Sequence, residues 1–112
     1  MMKDLVIYQK IYDFMRCFFP IVERFPRHEK FVLQSQIKNC TLDIARKIVR
    51  ANKSRNKRPI LFEIDTLLEE LRLLVRFSHD RRYLSTKKYE HSSKLLDEIG
   101  RLLGGWIRGL GA

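Results

Sequence analysis

Apolar residues recur every three or four positions along this chain and nowhere alternate, which predicts helices and no strand pair. Ile7, Ile11, Phe14, Phe18, Val22 and Phe25 step at that spacing, with Tyr8, Tyr12, Met15 and Phe19 as a neighbouring stripe, so a first helix is apolar over a wide arc. Pro20 lies inside it. Lacking an N–H, and with its ring against the carbonyl one turn back, it predicts a kink or broken turn there and a stop by Pro26. A second helix is expected from about His28 to Ala51, burying Leu33, Ile37, Cys40, Ile44 and Ile48. Asn52-Lys53-Ser54-Arg55-Asn56-Lys57-Arg58 has no apolar residue and reads as a loop, after which Pro59 suits the first turn of a third helix. Leu61, Ile64, Leu68, Leu71 and Val75 form the seam of that helix, with Ile60, Leu67 and Leu74 beside it. His79-Asp80-Arg81-Arg82 turns the chain. Ser85 or Thr86 then caps a fourth helix with the stripe Ser92, Leu96, Ile99, Leu103 and Trp106, flanked by Leu95 and Leu102.

Four helices of roughly 20 residues with short connections are most economically arranged as an all-α, antiparallel up-down four-helix bundle, one domain over residues 1–112. The first and third connections then share one end, and the second connection joins both termini at the other. Several helices are apolar over more than one seam, which points to a surface that another subunit covers, or to a thick core around large aromatics. Gly100 and Gly104, and Gly105 and Gly109, stand one turn apart in the last helix. Each costs helix stability by about 1 kcal/mol relative to Ala, so close backbone approach by a neighbouring helix is expected in return.

Charge changes the picture from a generic bundle to a polyanion partner. With 23 Lys and Arg against 13 Asp and Glu, the 112 residues carry +10 at neutral pH. Such a surplus favours nucleic acid first, an anionic membrane surface second and an acidic protein third. Lys53, Arg55, Lys57 and Arg58 make one strongly positive end together with Arg46, Lys47 and Arg50, and Arg24, Arg27, Lys30, Arg76, Arg81, Arg82, Lys87 and Lys88 gather at the other. Clustering at the ends rather than along one helix face argues against membrane-surface binding. No window approaches the roughly 18 uncharged apolar residues of a membrane span, and the start, Met1-Met2-Lys3-Asp4, lacks the apolar run of a secretory leader. Cys17 and Cys40 lie in apolar stretches without metal spacing, as reduced core thiols do, and the expected location is cytoplasmic.

Arg72 and Arg76, one turn apart beside the third-helix seam, form the most specific cationic pair. Glu69 can offset part of their repulsion in an Arg–Glu surface network; otherwise the pair offers a planar, multi-donor site for a phosphate or a carboxylate-bearing partner. Catalytic chemistry finds no support. His28, His79 and His91 are scattered, no Glu-x-x-His occurs, adjacent Glu69 and Glu70 point about 100° apart on a helix, and no strand precedes the glycines as a phosphate loop requires. Neither metal nor cofactor is expected.

Three colinear segments resemble a known family. They are Phe19-Pro20-Ile21 with Phe25-Pro26-Arg27-His28, then Leu71-Arg72-Leu73-Leu74-Val75-Arg76-Phe77, and the closing Ile99-Gly100-Arg101-Leu102-Leu103-Gly104-Gly105-Trp106-Ile107. Together they are similar to the accessory variability determinant proteins of diversity-generating retroelements, which are four-helix bundles. The four-helix proteins encoded in intervening sequences of bacterial ribosomal RNA genes share features with them. The first resemblance implies a homopentameric basic barrel that binds the retroelement reverse transcriptase and nucleic acid, template RNA or cDNA, to support mutagenic retrohoming. By position, Arg72 and Arg76 are the implied contacts to transcriptase or nucleic acid, followed by Arg27 and Arg101. The chain departs from the family in its more basic Lys53–Arg58 loop and in Gly105, where serine is frequent. The second resemblance implies an RNA-binding bundle, and a general protein-interaction module is the remaining alternative. Without a groove-reading motif, nucleic-acid contact would run through the backbone, and a pentamer would carry about +50.

Overall fold

Four helices in the computed structural model, which describes residues 5–111, each turn one apolar stripe inward: α1 (Val6–Val22), α2 (Leu33–Lys53), α3 (Arg58–Asp80) and α4 (Thr86–Gly109). The opening Met1-Met2-Lys3-Asp4, read above against a secretory leader, lies outside the described residues. Neighbours in sequence pack against each other, α4 closes onto α1, and the result is a rod of 44 × 25 × 23 Å. The described residues contain no strand, and no helix among them is long and apolar enough to cross a membrane.

The α3 seam is buried as its spacing requires, with Leu61, Ile64, Leu68, Leu71 and Val75 all shut from solvent. They meet Ile7, Ile11, Phe14, Phe18 and Val22 of α1, Ile37, Ile44 and Ile48 of α2, and Leu96, Ile99 and Leu103 of α4 in one cluster. Phe14 and Phe18 stack at 5.1 Å within it. Fully burying each such side chain is worth about 1.5–3 kcal/mol, so the seam far outweighs any surface pair. Trp106, Leu95 and Leu102 are half-buried against the same core.

Several boundaries depart from the periodicity. α2 begins at Leu33 rather than near His28. No residue from Arg27 to Val32 is buried, so nothing holds that stretch in helical register; Arg27–Glu29 forms a 3₁₀ turn instead, and Phe31 stands 86% exposed. Position 41, not 40, completes the α2 stripe. Thr41 is buried and returns its hydroxyl to the Ile37 carbonyl (2.7 Å), while Cys40 is half-buried and donates to the Leu67 carbonyl (3.3 Å). Buried Ser78 and Ser92 use the same device, donating to Leu74 and Lys88 carbonyls at 2.7 and 2.8 Å, so no buried hydroxyl is orphaned in this core. α1 runs on through Pro20 and ends two residues later at Val22, about half a turn past the proline and before Pro26.

The connections are built by specific contacts. Asn52 and Lys53 stay in α2 rather than joining the loop, because the Lys57 ammonium turns back onto three carbonyls, Ala51 (2.8 Å), Asn52 (3.2 Å) and Ser54 (2.7 Å). A cation at a helix C-terminus satisfies carbonyls that have no intrahelical donor and meets the negative end of the dipole. Arg58 of α3 reaches the Gly111 carbonyl, so the second connection and the C-terminal end share one end of the rod.

At the opposite end α3 closes in a Schellman motif: Tyr83 N–H bonds Ser78 C=O (2.9 Å), and Arg82 N–H bonds His79 C=O (2.8 Å). Arg82 occupies the left-handed position, φ 65°, where glycine is the usual choice. Tyr83 joins this turn to the first connection. Its hydroxyl donates to Glu29 Oε2 (2.9 Å), and its ring lies 5.3 Å from Phe25. Ser85 caps α4, accepting from the Lys88 N–H (3.2 Å).

Two stability outcomes follow from these ends. Lys57→Met removes the carbonyl cap and lowers the unfolding free energy by about 1–2 kcal/mol in urea titration. Arg82→Gly relieves the left-handed side chain and raises it by about 0.5–1 kcal/mol.

Candidate nucleic-acid and partner interface

The cations named from sequence fall on four separate surfaces. Arg72 and Arg76 face the groove between α3 and α4; Arg101 lies between α1 and α4 near Lys10 and Glu98; Arg27, Arg81 and Arg82 sit at the Tyr83 end; Lys53, Arg55, Lys57 and Arg58 sit at the opposite end. They do not converge on one site.

The α3–α4 groove encloses about 440 Å³ and is lined by Arg72, Leu73, Arg76, Tyr89, Ser93 and Asp97, among others. Its two arginines have different states. Arg72 is held: its guanidinium pairs with Asp97 Oδ1 at 2.5 Å, donates to the Leu96 carbonyl at 3.3 Å and lies 3.4 Å from Glu69 Oε1. The Glu69 contact is off the hydrogen-bond direction, so the buried Nε has no hydrogen bond. The Arg–Glu network weighed from sequence therefore exists, with Asp97 as its stronger member. Arg76 is exposed and meets no carboxylate among the described residues. At the far end of the groove His79 stacks on Tyr89 (4.3 Å, 7°) and its Nε2 lies 3.1 Å from Thr86 Oγ1.

Gly100 explains how Arg72 reaches across. A methyl there would come within 2.8 Å of the Arg72 Nη2, so the glycine makes room for a guanidinium rather than for a neighbouring helix backbone as the spacing suggested. Gly104 faces only the flexible Arg108 side chain at 3.3 Å, Gly105 sees the same side chain at 3.9 Å, and Gly109 has open space.

Sequence periodicity overlooked a second, outward stripe on α3. Phe62, Leu73 and Phe77 are exposed and spaced by eleven and four residues, which places them on one helical face beside Arg76. That spacing was the available signal. Exposed apolar residues also occur on the α1–α2 side, where Tyr8, Tyr12, Met15, Ala45 and Val49 line an apolar cleft of about 170 Å³ with Arg46 at its rim.

The surplus charge is uneven between the two ends. No acid interrupts residues 44–62, which hold seven cations. Lys47 is paired with Glu63 (3.7 Å) and Lys57 caps α2, but Arg46, Arg50, Lys53, Arg55 and Arg58 are exposed and meet no carboxylate among the described residues. At the Tyr83 end the cations share space with Glu23, Glu29, Asp80 and Glu90, and Arg81 lies 5.7 Å over the Tyr83 ring with its Nε 3.4 Å from the hydroxyl. Elsewhere Lys10 and Glu98 clip α1 to α4 at 2.8 Å, which holds the Glu98 carboxyl below its usual range.

The cysteines and histidines assemble no centre. Burial, reinforced by Glu70 and Asp43, pushes the Cys40 thiol up to about 11, so it is protonated at neutral pH. Among the described residues no three His, Cys, Asp or Glu side chains are grouped to hold a metal ion.

Gly100→Ala pushes the flexible Arg72 guanidinium aside. The helix-propensity gain of about 1 kcal/mol offsets the weakened surface pair, so the unfolding free energy changes by less than about 1 kcal/mol in thermal or urea unfolding. Asp97→Asn removes the Arg72 pair and lowers the unfolding free energy by no more than about 1 kcal/mol, since Glu69 remains beside the guanidinium.

No curated protein matches the chain. The family model described as bAvd-like matches residues 5–110, nearly the whole of the bundle, including the Arg72–Phe77 and Gly100–Trp106 segments. The chain belongs to the bAvd-like family, in keeping with its resemblance to the accessory variability determinants of diversity-generating retroelements.

Proposed function

We propose that this chain is the basic accessory protein of a diversity-generating retroelement, binding its reverse transcriptase and nucleic acid as a homopentamer to support mutagenic retrohoming. Family membership carries the accessory role. The observation that carries the binding role is the surplus of exposed cations without carboxylate partners on a rigid helical scaffold.

The α3–α4 face suits the protein partner. Arg76 stands among exposed Leu73 and Phe77, a mixture of arginine, aromatic and aliphatic side chains that is enriched at the centres of protein interfaces. Glu69 and Asp97 neutralise Arg72 beside it, so the local field there is weak for a polyanion. Arg72 serves this face by fixing α3 against α4 rather than by offering a free guanidinium. Phosphate contacts fall to the uncompensated cations, through the backbone and with little base readout. The unpartnered apolar surfaces fit burial between copies in a ring.

Co-expression with the transcriptase of the same retroelement tests the reading. The tagged chain retains the transcriptase on affinity resin, and light scattering of the chain alone gives about five times the 13.5 kDa monomer. Arg76→Glu weakens transcriptase capture about 10–100-fold, the equivalent of losing a charged hydrogen bond, while the melting temperature changes by no more than a few degrees. Unchanged capture by Arg76→Glu assigns the transcriptase to another face, and absence of any capture by the native chain removes the accessory role.

A further inference from the structure

We propose that nucleic acid is bound at one end of the bundle only, the end formed by the α2–α3 connection and the C-terminal turn of α4. The proposal rests on the nucleic-acid half of the function above and adds to it the surface that makes the contact.

The two ends look alike when their cations are counted along the sequence, and the structure separates them. At the α2–α3 end Arg46, Arg50, Lys53, Arg55, Arg58 and, from α4, Arg108 are all exposed. Among the described residues none of them meets a carboxylate. Arg58, bonded to the Gly111 carbonyl, places the end of α4 beside this group. Asp43 and Glu63 bound the acid-free run 44–62, Asp65 follows, and Glu63 is engaged with Lys47. Lys57 is withdrawn from the set because its ammonium is spent on three α2 carbonyls, although it lies in the middle of the basic loop.

The Tyr83 end is different in kind. Glu23 holds Lys38 at 2.7 Å, and Glu29 accepts from Tyr83 while lying 3.9 Å from His28. Asp80 and Glu90 are exposed among Arg81, Lys87 and Lys88. A polyanion approaching this end meets carboxylates at the same depth as the cations. Coulomb energies fall off over about 8 Å at physiological salt, so interleaved acids cancel the field where a phosphate would sit. The same screening leaves the α2–α3 end, where no acid interrupts residues 44–62, as the place where counterion release is greatest.

Fluorescence anisotropy with the full-length chain and a labelled 30-nucleotide single-stranded RNA of mixed sequence, at 100 mM salt, tests this. One variant carries Arg50→Gln, Lys53→Gln and Arg55→Gln; the other carries Arg27→Gln, Lys87→Gln and Lys88→Gln. Each removes three exposed charges that make no side-chain bond among the described residues. The first loses about tenfold or more in affinity, and the second loses less than about threefold. Lys57→Met keeps near-native affinity while melting earlier. Equal losses in the two triple variants, or the larger loss in the second, overturn the assignment while leaving nucleic-acid binding itself intact. No binding by the native chain overturns the function on which the assignment rests. Displacement of the RNA by poly-glutamate at equal charge concentration reassigns this end to an acidic protein and also overturns it.

Discussion

The burial of one seam on α3 constrains everything else in the molecule. Leu61, Ile64, Leu68, Leu71 and Val75 share one core cluster with the inward stripes of the other three helices, and no arrangement that exposes them survives the loss of so much apolar contact. With those five positions committed inward, the remaining residues of α3 are assigned to faces by geometry alone. Arg72 and Arg76 come to lie toward α4, Leu67 and Glu63 toward α2, and Phe62, Leu73 and Phe77 outward. Cationic residues cannot enter such a core, so 23 of them are left for the surface and the two ends.

How each cation is used then depends on its immediate neighbours. Lys57 and Arg55 differ by two positions in one basic loop, yet the first completes the α2 terminus and the second is free in solvent. Arg72 and Arg76 differ by one turn, yet the first bridges α3 to α4 through Asp97 and the Leu96 carbonyl and the second is open to a partner. In both cases the fold splits cations that the sequence sets side by side, engaging one and leaving the other unpaired among the described residues. On the proposed function, binding falls to the cations that remain unpaired.

This distinction marks where the sequence was informative. Period alone places all four helices and the α3 seam, because burial of a stripe is a property of spacing, and residue type narrows the α4 cap to Ser85 or Thr86, of which Ser85 serves. It misplaces the start of α2, since the apolar pair Phe31 and Val32 mimics helical pattern while lying outside the core. It puts Cys40 on the wrong side of a boundary one residue wide, because a threonine that bonds its own helix looks polar on paper. Gly100 reads as a site for helix–helix approach, and its neighbour is instead a guanidinium from 28 positions earlier. The bonds of Lys57, Arg72 and Tyr83 join residues by three-dimensional proximity, and no local pattern announces them.

A bundle that is rigid, +10 in charge and uncompensated at one end makes its central claim in the language of counterions. The most direct measurement is the native chain's affinity for single-stranded RNA across a range of potassium chloride concentrations. Contacts to four or five phosphates predict a linear fall of log K with log salt, with a slope of about −3. A slope near zero, with binding retained at high salt, contradicts the account.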